Sequence, residues 1–196
     1  MSNTVCQNNY WNCYVFRQTA KPPLAGLVYI PSNEQLKSAP LVDQLDKNFT
    51  RKMVVVPVGQ SVKFKNSDAV DHNVFANDRK QNAKFDVGLM NPGGEKDITV
   101  DWQENTIVRV GCKIHPKMRT YIATVNTPYY QVLEFSKNSN EYNFKIDNVP
   151  ENATSVILHI PKYDLIELDF SEDKAWELPI VKKGKTRGTL KVRKVS

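Results

Sequence analysis

The sequence has no long apolar run. Its longest uncharged apolar stretch, Leu24 to Ile30, falls far short of the ~20 residues a membrane-spanning helix needs, which excludes a helical membrane protein. Residues 1–20 contain no apolar h-region, so no signal peptide is expected within this chain. A cytoplasmic protein and a mature exported one both fit. Helical patterning is missing as well: no window keeps a 3.6-residue apolar period over three turns. Nor is positive charge spread over the chain. The net charge is +6 and the pI about 9.1, yet residues 181–196 hold seven Lys/Arg and no acid, so the first 180 residues sum to −1. That distribution argues against a nucleic-acid-binding fold, where a basic face would be expected. With 24% charged and 10% aromatic residues, wholesale disorder is not expected either.

What is present is a succession of short β-rich runs broken by Gly, Pro, Asn or Asp. They are Leu27–Ile30, Met53–Val58, Ser61–Lys65, Asn73–Ala76, Asp97–Trp102, Thr106–Val110, Tyr121–Val125, Tyr130–Phe135, Glu141–Ile146, Ser155–Ile160, Leu165–Phe170, Trp176–Lys182 and Gly188–Val195. Many short strands at fairly even spacing predict an all-β protein of sandwich or barrel type. The mostly polar stretch Ser32 to Phe49 reads as a loop or a short helix. Asn126-Thr127-Pro128 reads as a domain joint, each side being long enough for its own core. The expected division is an N-terminal extension, 1–20, a first domain, 21–126, and a second, 127–196. Cys6 and Cys13 lie close together in the extension. They either close a small disulfide loop in an oxidising compartment or are two unrelated thiols. Cys112 is left over.

The chemistry concentrates on few residues. There are three histidines, His72, His115 and His159. Cys112-Lys-Ile-His115-Pro116-Lys-Met118 places a thiolate, an imidazole and a thioether in one loop between two predicted strands. These are soft and borderline donors that suit copper. A blue-copper site takes two His, one Cys and a weak axial Met. The loop supplies three of those four groups, and His72, at the start of another predicted strand, is the candidate for the fourth. A zinc site would want four closed N/S ligands, usually with paired Cys-x2-Cys or His-x3-His spacing, and that spacing is absent. A Cys–His nucleophilic pair would lack an orienting third group. Met118 stands between Lys117 and Arg119, a poor setting for a core methionine.

From about Val54 to Asn126 the residues resemble the cupredoxins, the plastocyanin–amicyanin–azurin group of type 1 copper proteins. Phe64-x-Asn66 followed by His72-Asn73-Val74 resembles the strand that delivers the first ligand histidine, and Cys112-x2-His115-x2-Met118 resembles a short ligand loop. The resemblance implies a Greek-key cupredoxin β-sandwich holding one copper. His72, Cys112 and His115 would be its equatorial ligands and Met118 its axial one. Asn73 would tie the two ligand loops together and hydrogen-bond near the thiolate. Such neighbours orient ligands and tune the metal. Pro116 has no N–H to give the sulfur, which should leave the thiolate electron-rich. A wider resemblance, from about Gly26 onward, is to bacterial exported proteins of methylamine-utilisation type. It is carried by His72-Asn-Val-Phe75, Phe85-Asp86-Val87-Gly88, the Cys-x-Ile-His-Pro-x-Met loop, Thr127-Pro128-Tyr129 and Tyr142-Asn-Phe144…Val149-Pro150. It implies a small transthyretin- or carboxypeptidase-regulatory-like β-domain after the joint. Where relatives often have Trp-His, this chain has Leu158-His159.

The expectation is therefore a one-electron carrier of the bacterial periplasm or cell envelope and not an enzyme. The alternative is a periplasmic copper-binding, trafficking or resistance protein without a redox partner. His115 would be the exit point for electrons, with Ile114 and Pro116 as an apolar collar. The basic C-terminal stretch and the mildly basic 21–126 segment suggest salt-sensitive docking to an acidic redox partner or an anionic envelope surface, without nucleic acid. Asp68 and Asp71 read as turn residues, His159 as a strand histidine, and the acidic run from Asp164 to Glu177 as a solvated face. Asn48-Phe-Thr50 and Asn152-Ala-Thr154 match the glycosylation pattern by chance.

Overall fold

The computed structural model describes residues 14–15, 22–139, 141–169 and 175–193. Cys6 and Cys13, with their expected disulfide, lie outside the described residues. Regular structure among the described residues is entirely β, and no helix is long and apolar enough to cross a membrane. In chain order the strands are β1 (Tyr14–Val15), β2 (Ala25–Tyr29), β3 (Leu41–Leu45), β4 (Asn48–Phe49), β5 (Val54–Val55) and β6 (Ser61–Asn66). Then come β7 (His72–Asp78), β8 (Ala83–Met90), β9 (Glu95–Thr99), β10 (Thr106–Gly111) and β11 (Arg119–Thr124). The last are β12 (Tyr130–Glu134), β13 (Glu141–Tyr142), β14 (Ser155–His159), β15 (Ile166–Asp169), β16 (Ala175–Lys182) and β17 (Lys185–Arg193).

The chain divides into two units, and not where the sequence led us to expect. One unit is Glu34–Pro128; the other joins the described residues up to Asn33 with those from Tyr129 on. The first domain predicted over 21–126 is thus corrected at its start. Ala25–Tyr29 is buried along its whole length and pairs on one edge with β12 and on the other with β14. A strand with no exposed face needs neighbours on both sides, and they come from the C-terminal half. Tyr14–Val15, within the predicted 1–20 extension, likewise pairs with β13 and β17.

The Glu34–Pro128 unit is a sandwich of two sheets, ordered β5-β11-β10-β7-β8 and β4-β3-β6-β9. Most pairs are antiparallel, while β3–β6 and β5–β11 run parallel. Inward residues alternate along the strands as a half-buried sheet requires. Val42, Val62 and Phe64 from one sheet meet Val74, Val108, Val110 and Ile122 from the other in a single buried cluster. Burial of a side chain like Phe64 contributes roughly 1.5–3 kcal/mol, so this cluster anchors the strand ends that carry the site. The other unit has two four-stranded sheets, β13-β1-β17-β16 and β12-β2-β14-β15. Its own cluster includes Val28, Leu133, Leu158, Ile180 and Leu190.

Four strands escaped the sequence pattern: β1, inside the predicted extension, and three in the Glu34–Pro128 unit. β3 and β4 occupy the stretch read as loop or helix. The inward alternation of β3 is carried by Val42 and the fully buried polar Gln44, which hides its period. β8 contains Lys84, Asp86 and Gly88, residues that normally interrupt strands.

Candidate metal centre

The site is built at one end of the five-stranded sheet. His72 is the first residue of β7 and pairs with Met90, the last of β8. Cys112 follows directly on β10, whose Gly111 pairs with Phe75 of β7. Glycine fits closely there: a Cβ would lie 3.2 Å from the Phe75 ring, which would have to shift slightly to admit it. The chain then turns: the Met118 N–H donates to the His115 carbonyl at 2.9 Å before β11 begins. Two strand ends and one tight hairpin loop thereby converge.

Three donor atoms meet. His72 Nδ1 lies 3.0 Å from His115 Nδ1 and 4.0 Å from Cys112 Sγ, and Cys112 Sγ lies 3.9 Å from His115 Nδ1. His72 is fully buried and Cys112 is 2% exposed. The point equidistant from three atoms so arranged is about 2.1 Å from each, matching the ~2.0–2.3 Å bonds that imidazole nitrogen and thiolate sulfur make to a borderline divalent ion. Among the described residues these three form the group of His, Cys, Asp or Glu able to hold a metal. Two imidazoles and one thiolate in a trigonal set are the donor chemistry of copper electron-transfer sites. Met118 is buried and ends the same loop.

The surroundings fix these donors. The sulfur accepts two amides, from Asn73 and from His115, each at 3.4 Å. Sequence reasoning weighed Asn73 and position 116 around the sulfur, but not the His115 amide. Pro116 indeed offers no N–H, but the two other amides offset the electron-rich thiolate expected from it. Asn73 bonds to both loops. Its Oδ1 accepts the Lys113 N–H at 3.2 Å, and its Nδ2 donates to Asp86 Oδ1 at 2.7 Å and to the Gly88 carbonyl at 2.9 Å. Gly88 belongs to a bulge where two residues of β8, Val87 and Gly88, face the single residue Val74 between Asn73 and Phe75. Its φ of 72° suits glycine and aims that carbonyl at Asn73. Asp86 also takes the Lys113 ammonium and the Gly88 N–H. Lys113 first, then Gly88 and Asn73, bring its carboxyl down to about 2.

Asp68 is the residue the sequence undervalued. It does take part in turns, since its N–H donates to Asn66 Oδ1 and its Oδ1 accepts the Ala69 N–H. Its other oxygen, Oδ2, accepts the Lys47 N–H at 2.8 Å and lies 3.0 Å from His72 Nε2. The Lys47 amide and then the His72 ring hold this carboxyl below its usual range. An acid four residues before a candidate ligand histidine was the available signal, given how often ligating imidazoles lean on carboxylates. Gln44, equally missed, donates from Nε2 to the Asn73 carbonyl at 3.3 Å. Burial, then the neighbouring His72 and Lys47, push the His115 imidazole below its ordinary value, favouring the neutral form that binds metals. Ile114 is 45% exposed, and Pro116, Leu89 and Val70 are exposed too. His159 lies on β14, in the other unit.

No protein-family model matches the chain, and no curated protein matches it. Solved structures do. A purple cupredoxin from Nitrosopumilus maritimus is 20% identical, with 45% of this chain and 99% of that one covered, at a TM-score of 0.38. A Cu(I) form of an amicyanin mutant is 21% identical, with 50% and 97% covered, at 0.38. The Cu-containing nitrite reductase from Thermus scotoductus SA-01 is 22% identical, at 0.40; 51% of this chain is covered, and the chain spans 25% of that enzyme.

Proposed function

We propose that the chain is a mononuclear type 1 copper protein that passes single electrons in the bacterial periplasm or cell envelope, acting as a carrier and not as an enzyme. One observation carries this proposal: two imidazole nitrogens and one cysteine sulfur face a common centre, 3.0 to 4.0 Å from one another, at the buried end of a sandwich. His72, Cys112 and His115 would hold the ion, with Met118 as a weak axial group. Copper bound there supplies a one-electron Cu(II)/Cu(I) couple. The protein's part is to keep the donors still. Asn73 and Asp86 brace the loop, the two amides on the sulfur moderate its charge, and burial of His72 and Cys112 excludes water. His115, the least buried of the three, is the side on which a partner comes nearest. The exposed Ile114 and Pro116 beside it suit transient docking, and Lys113 and Lys117 suit an acidic partner. The exported location rests on the resemblance to exported bacterial proteins. The second unit, two small sheets over one core, is in keeping with a transthyretin-like domain.

Adding Cu(II) to the purified chain and recording the visible spectrum tests the assignment. The expected result is an intense thiolate-to-copper band, blue, or green if the site is distorted. Absence of the band, or its survival in Cys112→Ala, would overturn the proposal.

A further inference from the structure

The turn between β3 and β4 is an outlier. Asp46 and Lys47 both occupy the left-handed region, with φ of 51° and 54°, at a steric cost to any residue with a Cβ. Two-residue hairpins of this kind favour Asn-Gly. Residues held in such a conformation persist where the surroundings over-determine them, and here the surroundings are plain. The Lys47 N–H donates to Asp68 Oδ2 at 2.8 Å, and that same oxygen lies 3.0 Å from His72 Nε2. The rest of β3 grips the same loop. The Ser67 N–H reaches the Gln44 carbonyl and Asp43 Oδ1, and the Gln44 side chain reaches the Asn73 carbonyl. The Asp68 side chain is only 14% exposed and His72 not at all.

A neutral imidazole carries one N–H. Given to Asp68 at Nε2, it leaves the lone pair on Nδ1, the atom that faces Cys112 and His115. We propose that Asp68, anchored by the Lys47 amide, is a positioning residue that fixes His72 as an Nδ1 donor, and that the β3–β4 turn serves to hold it there. This rests on the assignment of His72 as a metal ligand but is testable without metal.

The imidazole ¹⁵N shifts of His72 in the metal-free protein, near pH 8, report which nitrogen bears the proton. The expected pattern is a single Nε2–H form in the native chain and a mixture in Asp68→Ala. With Cu(II) alone, in competition with a chelator, Asp68→Ala should bind about 10–100-fold more weakly, as loss of a ligand's hydrogen-bond partner typically does. Asp68→Asn, which keeps an oxygen for both partners, should fall between. A native His72 protonated on Nδ1 would overturn the proposal. So would a folded Asp68→Ala with native shifts and affinity within about twofold. If that variant does not fold, Asp68→Asn and the native shifts decide. Failure of the native chain to bind Cu(II) would sink the metal assignment, while the shifts would still settle what Asp68 does to His72.

Discussion

The three histidines show how differently one side chain can be used. His72 and His115 face a thiol; His159 lies opposite Leu27 in the β14–β2 pair, and burial pushes its imidazole below the ordinary value of 6.5. The neutral ring is the form compatible with folding, so the unfolded chain binds the proton first. Stability is then full above about 6.5 and falls as the pH drops toward the lower, folded value. His159→Gln should flatten that fall: between pH 7.5 and 5.5 its urea midpoint should move less than the native one, and equal movement would refute the effect. At this scale much of the site was legible. His72, Cys112 and His115 are rare residues with distinctive donor chemistry, and their grouping announces itself. The Lys47 amide was not legible, because every residue but proline has an N–H and only a fold says where it points. Asp68 was half legible: its turn role follows from its type, its bond to His72 only from position.

At the scale of elements, the β3–β4 hairpin is where geometry and sequence disagree most. Replacing Asp46-Lys47 by Asn-Gly keeps the amide that bonds Asp68 and relieves two left-handed residues. The expected gain is about 1 kcal/mol for the pair, read as a higher thermal midpoint with the His72 ring signals unchanged. A lower midpoint would mean that the side chains of Asp46 and Lys47 matter more than their backbone. Strands with apolar alternation, such as β6 and β10, could be read directly. β3 and β8 could not. Both serve the site with polar residues, Gln44 in one and Asp86 and Gly88 in the other, and those residues erase the pattern by which strands are recognised.

At the scale of the molecule, the unit that carries His72, Cys112 and His115 is an insertion. The Leu36 amide donates to Asn126 Oδ1 at 3.1 Å, so the two ends of Glu34–Pro128 meet. Joined ends and a separate core describe a piece that stands alone. Residues 34–128 expressed by themselves should melt cooperatively and show the same visible band with Cu(II) as the full chain; an aggregated or colourless product would contradict this. The start of the insertion was hidden in the sequence because a continuous apolar run such as Ala25–Tyr29 does not say which strands it will pair with.

The meeting of those two ends also bears on the order of events during folding. β2 and β12 are neighbours in a sheet although roughly a hundred residues separate them along the chain. Closing so long a loop costs entropy that grows with the logarithm of its length, and a tenfold shorter loop saves about 2 kcal/mol. Once Leu36 and Asn126 have joined, the intervening residues count as a short bridge, and β2 finds β12 as if the chain had been cut down to that length. Whatever steadies the insertion, a metal ion included, thus favours the pairing of two strands that hold none of its ligands.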